Sequence, residues 1–319
     1  MLALTFDGRV RVREDYADVR PGAGEVVVGV CLGGVCRTDL EIAQGYMDFT
    51  GVLGHEFVGV VREGPARWAG KRVVAEINCA CGSCELCGAG LSNHCRSRTV
   101  IGIAGRDGAF AERLAVPEAN LHEVPPELTD EQAVFVEPLA AAIQVTRQVE
   151  FGRARDVVVL GAGRLGQLVA RVLASMGVDP LLVDGQGGKL ALAGARGIRT
   201  AELDEYAGDA RADVVVDATG CAAGFDLAMR AVAPRGTIVL KSTFAAEAGM
   251  NLAPLVINEV TVVGSRCGPF DEALDVLARR AVDVSDLISA RFPLRRGEEA
   301  LAAAAERRSL KVLIDVEAQ

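Results

Sequence analysis

Residues 156–166 read DVVVLGAGRLG, and this stretch decides the fold. Four apolar residues bounded by charge form a strand buried in a parallel sheet. The run breaks at once into Gly161-x-Gly163-x-x-Gly166 and a helix-period segment, LGQLVARVLASMG. The chemistry of such a turn is anion capture. Gly161 permits the bend, Gly163 lets a pyrophosphate approach the backbone, and Gly166 lets helix and strand pack closely. A second strand, PLLV, ends in Asp184, about 20 residues beyond the glycines, where a carboxylate accepts hydrogen bonds from an adenosine ribose.

Outward from this turn, strand and helix signals alternate through LLVD, DVVVDATG, GTIVLKS and VTVVGS, preceded by a helical stretch, EQAVFVEPLAAAIQVTRQV. Strands spaced by helices predict a doubly wound parallel sheet over residues 131–284. Upstream the texture is different: short strand-like runs (LALTF, EVVVGVCLG, FVGVVRE, RVVAEI, AERLAV) are separated by Gly, Pro and charged turns. These predict a β-barrel-like domain over 1–130. After Ser265 come a helix near 271–280, a strand-like DLISARFPL, an alanine-rich helix near 298–307 and a last strand, LKVLIDV. That tail, residues 285–319, is expected to fold back and complete the first domain. The fold class is α/β.

The 319 residues, 50% apolar, suit two packed cores. A net charge of −9 with 4% aromatic residues offers neither a basic groove for phosphates nor stacking platforms for bases, so nucleic acid is excluded as a partner. No apolar run reaches the ~18 residues that cross a bilayer, and MLALTFDGRV lacks the order of a signal peptide. The expectation is a cytoplasmic protein with no membrane partner. Nine cysteines without an export signal then point to metal ligation and buried thiols rather than disulfides.

Cys81, Cys84, Cys87 and Cys95 stand as C-x2-C-x2-C-x7-C in a glycine-rich loop. Four thiolates on a short segment close tetrahedrally around a structural zinc, which staples a loop too polar to pack by itself. Cys79 and His94, beside this cluster, are read as bystanders. A second constellation is dispersed: Cys36 in GVCRTDLEI, His55 and Glu56 in VLGHEFVG, and Glu137 in FVEPLAAA. Together they make a mixed S/N/O set for a catalytic zinc, which needs three protein ligands and one open position.

With GVCRTDLEI, GHEFVGVV, the four-cysteine lobe, VEPLA, GAGRLG and DATG in this order, the chain resembles the zinc-containing medium-chain alcohol dehydrogenases, in their polyol and threonine dehydrogenase branch. The resemblance implies a GroES-like catalytic domain joined to a Rossmann domain, with NAD(P) bound in the cleft between them. It implies Cys36 and His55 as catalytic zinc ligands, completed by Glu56 or Glu137, and Thr38 as the hydroxyl that passes the substrate's proton outward. Where many relatives end that relay on a histidine, this chain has Glu41. The cofactor residues so implied are Gly161, Gly163, Arg164, Leu165, Gly166, Asp184 and Thr219. The chain is shorter than typical relatives after the cysteine lobe and after GTIVLKS, segments that shape the substrate pocket. GQGGK, after Asp184, lacks the arginine that neutralises a 2′-phosphate, so NAD is expected over NADP.

The activity expected is hydride transfer from a primary or secondary alcohol or polyol to NAD, giving an aldehyde or ketone. The alternatives are a carbonyl reductase running in reverse and a non-catalytic nucleotide-binding redox sensor. A homodimer or homotetramer is expected, because the apolar strand near 261–264 would otherwise be an open sheet edge.

Overall fold

The computed structural model describes residues 1–206, 208, 212–242 and 251–317. The chain divides into two compact units. One comprises residues 1–137, 277–279 and 284–319, the other residues 138–276 and 280–283.

The first unit is built around the strand Glu25–Gly34, whose sequence EVVVGVCLGG is buried almost throughout. It lies in a seven-stranded sheet ordered Leu121–Glu123, Arg72–Ala75, Glu56–Glu63, Glu25–Gly34, Lys311–Asp315 and Ile288–Pro293, with Arg113–Pro117 also paired to Glu25–Gly34. The C-terminal strand Lys311–Asp315 runs antiparallel to Glu25–Gly34, placing Leu313 opposite Gly34, and Val35 N donates to Val312 O at 2.9 Å. The tail thus folds back beside the residues that enter the candidate site. Two three-stranded sheets complete the unit; one of them, Asn78–Cys79, Thr99–Ile101 and Gly105–Arg106, flanks the cysteine loop.

In the second unit six parallel strands lie in the order Arg199–Glu202, Pro180–Asp184, Val157–Leu160, Ala212–Asp217, Val232–Leu240, Thr261–Gly264. Numbered along the chain this is 3-2-1-4-5-6, the doubly wound dinucleotide-binding order. Val157–Leu160 is wholly buried between two neighbours because it has no face left for water, which is why its sequence is continuous rather than alternating.

The stretch read as one helix resolves into Asp130–Ala133 and Val136–Gln148. Pro138 explains the break. It has no N–H to offer the carbonyl four residues back, so it is tolerated only in the first turn of a new helix. The segment after GTIVLKS, read as part of the pocket wall, falls at residues 243–250, outside the described residues. Among the described residues, no helix is long and apolar enough to cross a membrane.

Candidate active site

The dispersed constellation comes together in the first unit. Cys36 precedes the short helix Arg37–Ile42, His55 immediately precedes the strand Glu56–Glu63, and Glu56 opens it. One ligand atom each from Cys36, His55 and Glu56 lies within 4.8 Å of the other two. The turn before His55 depends on Gly54. Its φ is +95°, and a Cβ there would stand 2.5 Å from the Phe110 ring. Only glycine makes this bend against a buried aromatic side chain.

A residue not singled out in the sequence, Asp39, organises this corner. It is fully buried and accepts from Cys36 N at 2.8 Å and Gly54 N at 3.2 Å, while His55 Nδ1 stands 3.3 Å from its Oδ1. One carboxylate therefore ties the helix that begins after Cys36 to the turn that carries His55. Burial pushes the His55 imidazole pKa down, but the Asp39 carboxylate and the Cys36 thiol push it up by more, and it ends well above the usual value.

Glu56 is also fully buried and is ion-paired through Oε2 with Lys311, another residue the sequence did not mark. Its Oε1 is buried without a hydrogen-bond partner. An orphaned carboxylate oxygen beside a thiol and an imidazole is what a metal ligand looks like before its ion is counted. Thr38 Oγ1 is 3.9 Å from Cys36 Sγ. Glu41 lies on the same helix, half-buried and 3.4 Å from Arg37 Nε, outside the three-ligand group. Glu137 sits half-buried in the first turn of Val136–Gln148 and also stays outside that group.

The four-cysteine lobe is equally well ordered. Its sulfur separations are 3.5 Å (Cys84–Cys87), 3.5 Å (Cys95–Cys81), 3.8 Å (Cys84–Cys95) and 4.0 Å (Cys81–Cys87). A tetrahedron of thiolates about 2.3 Å from zinc has edges of about 3.8 Å, so the lobe fits that ion, whereas a disulfide requires about 2.05 Å. The Ser83 amide and hydroxyl, with the Cys84 amide, hold the Cys81 thiol down to about 6, favouring the thiolate a metal needs. Cys79 is buried near Ile77 O and Asn120, and His94 is exposed; neither joins the cluster.

In the second unit the glycine turn has the spacing of an anion cradle. Gly161 has φ +93° and donates to Val183 O at 2.8 Å. A Cβ on Gly166 would collide with Gly161 O, whereas one on Gly163 would meet nothing within 4 Å. Packing therefore requires the third glycine but not the second, whose open side is room for a ligand. Arg164 and Leu165, both half-buried, begin the helix Arg164–Ser175. Asp184 ends its strand and accepts from Ala162 N at 2.7 Å through Oδ2. Thr219 folds onto Asp217, its N at 2.9 Å and Oγ1 at 2.7 Å from Oδ1.

Residues 22–126 match the alcohol dehydrogenase GroES-like domain family, and residues 165–280 match the zinc-binding dehydrogenase family. With those matches and relatives over more than nine-tenths of its length, the chain belongs to the zinc-containing medium-chain alcohol dehydrogenases. It is 32% identical to an L-threonine 3-dehydrogenase of Streptomyces avermitilis over 94% of each chain. It is 30% identical to a 2-dehydro-3-deoxy-L-galactonate 5-dehydrogenase of Pseudoalteromonas atlantica over 92% of each. Its fold matches that of a zinc-binding dehydrogenase from Sinorhizobium meliloti 1021, solved bound to NADP, with a TM-score of 0.90, 27% identity and 99% of both chains covered.

Proposed function

We propose that this alcohol dehydrogenase oxidises a primary or secondary alcohol carrying further hydroxyl or amino groups, with NAD as hydride acceptor. The observation that carries the reading is the convergence of Cys36, His55 and Glu56 with one buried carboxylate oxygen unspent. The named relatives act on a hydroxy amino acid and a sugar acid, which supports a polyfunctional alcohol. We assign catalysis to residues 1–130 and 285–319, and dinucleotide binding to 131–284.

Cys36, His55 and Glu56 would hold the catalytic zinc, and Cys81, Cys84, Cys87 and Cys95 a structural one. When bound, the zinc supplies Lewis acidity at the substrate oxygen and the nicotinamide supplies the hydride acceptor. Asp39, whose Oδ1 stands 3.3 Å from His55 Nδ1, would attract that edge of the ring by its charge and leave Nε2 as the nitrogen to ligate. Thr38 Oγ1 takes the proton leaving the alcohol and hands it along its helix toward Glu41.

NAD is inferred over NADP because Asp184 ends its strand where a ribose-binding carboxylate is expected, and a second carboxylate stands on the neighbouring strand. Asp184 is register-paired with Glu202, and Glu202 Oε1 lies 3.0 Å from where a Gly187 Cβ would stand. Nine cysteines, five of them assigned to zinc, fit thiol and metal chemistry in a reducing compartment such as the cytoplasm. The apolar edge at Thr261–Gly264 supports a homodimer or homotetramer. A panel of alcohols, polyols and amino alcohols with NAD, followed by absorbance of the reduced cofactor, tests the activity. Zinc-replete protein that reduces NAD with none of them would overturn it.

A further inference from the structure

Lys311 is a lysine with no solvent exposure, set in the strand KVLID whose other inward residues are aliphatic. Its ammonium is paired with Oε2 of Glu56, also wholly buried, and stands 5.4 Å from the centre of the Phe135 ring. The first unit makes room for this pair at a glycine. A Cβ on Gly34 would stand 2.8 Å from Glu56 Oε2 and 3.4 Å from Lys311 Cδ.

Stability does not account for such a pair. Two charges removed from water cost several kcal/mol each in desolvation, and apolar residues of similar volume often do as well or better. A purely structural bridge would also be expected to satisfy both carboxylate oxygens, yet Oε1 has no partner, and a Glu56 carboxylate oxygen lies within 4.8 Å of ligand atoms of Cys36 and His55.

We propose that Lys311 is a positioning residue of the catalytic site, holding Glu56 by Oε2 so that Oε1 is presented to the metal. The inference rests on the zinc reading of Cys36, His55 and Glu56. The ammonium fixes the carboxylate's rotation, so that the remaining oxygen is held ready for the metal instead of turning away from it. The residue reaches this place only because the C-terminal strand is paired beside Gly34 and Val35.

The test follows the rate at which a colorimetric chelator withdraws metal from the zinc-loaded protein, together with the visible spectrum after cobalt substitution. The unmodified protein should release two metals in two phases. Lys311→Met should accelerate one phase by about tenfold or more, leave the other unchanged and alter the cobalt spectrum, while Lys311→Arg should restore both readouts. A folded Lys311→Met protein with unchanged release and spectrum would overturn the proposal. Should Lys311→Met fail to fold, Glu56→Gln is compared with Glu56→Gln/Lys311→Met. In that background Lys311 should no longer affect release, and an effect that persists would show that Lys311 does not act through Glu56. A single metal in the unmodified protein would instead defeat the zinc reading, and this inference with it.

Discussion

His55 is only 3% exposed, and its imidazole is set by two neighbours, Asp39 and Cys36. If Asp39 fixes the ring through Nδ1, then Asp39→Asn keeps the volume and loses the charge that orients it. We expect kcat/KM to fall roughly 10–100-fold, with zinc lost more readily from one of two sites, and the thermal midpoint to drop as well, because the Asn NH2 would face the buried Cys36 or Gly54 amide as a second donor. Steady-state kinetics with metal analysis would show this, and an unchanged kcat/KM would refute the role. Cys36, His55 and Glu56 were legible in the sequence because sulfur, imidazole and carboxylate carry metal chemistry by type. Asp39 and Lys311 were not. A lone Asp early in a short helix reads as a first-turn charge, and a Lys in a terminal strand reads as a solvated edge. Only pairing across 15 residues for Asp39 and 255 for Lys311 reveals them. At Asp184 the prediction concerns cofactor choice. An added phosphate beside Asp184 loses a ribose hydrogen bond and meets like charge, together costing about 2–4 kcal/mol, so kcat/KM with NAD should exceed that with NADP by roughly thirty to a thousandfold. Asp184→Ser should narrow the gap mainly by weakening NAD, and comparable efficiencies in the unmodified protein would remove Asp184 as selector.

At the scale of elements, the cysteine loop owes its form to its thiols. The segment between Asn78–Cys79 and Thr99–Ile101 has only the four-residue helix Glu85–Gly88 and the 3-10 turn Ser92–His94, and exposes most of its residues, so apolar burial contributes little there. Cys84→Ser should leave one zinc per chain and lower the thermal midpoint by on the order of 5 °C or more. Two zincs and an unchanged midpoint would deny the loop its staple. The same small sheet is tied to the central strand by Arg106, whose Nη1 lies 2.6 Å from Glu25 Oε1. Burial pushes the Glu25 carboxyl up, but the Gly22 amide and the Arg106 guanidinium pull it down by more, below the ordinary 4.5. A lowered carboxylate stabilises the fold above its unfolded value and loses that contribution as pH falls through its folded one. Glu25→Gln should therefore cost about 1 kcal/mol at pH 7, and the gap should begin to close below pH 4.5. Denaturant midpoints of the two proteins at pH 7 and pH 4 measure it; a gap that does not change with pH would remove Glu25 ionisation from the account. Strands and helices of this kind were legible because their apolar periods are local. The break between Ala133 and Val136 turns on a proline within an otherwise uniform helical run, and the Arg106–Glu25 tie joins residues 81 apart.

At the scale of the whole molecule, the two-part α/β plan was readable from the change of texture near residue 130, since parallel strands buried on both faces and antiparallel strands between turns leave different patterns. Assembly is a separate matter, decided by what the surface leaves uncovered. The two edges of the parallel sheet differ in chemistry. Arg199–Glu202 carries Arg199 and Glu202, charges that discourage pairing with another strand. Thr261–Gly264 reads TVVG with no charge, Val262 is exposed, and the adjoining helix Ala253–Ile257 presents Val256 at 80% and Ile257 at 77% exposure. Among the described residues, this uncharged edge beside large exposed aliphatic side chains is a surface that a second copy of the chain would cover. Burying two such side chains in a symmetric contact counts twice, about 1.5–3 kcal/mol for each one covered. The unmodified protein should therefore be an even oligomer by light scattering at micromolar concentration. Val256→Glu combined with Ile257→Lys should shift it toward monomer with both zincs retained. A monomer before any substitution would show that this edge stays open in solution.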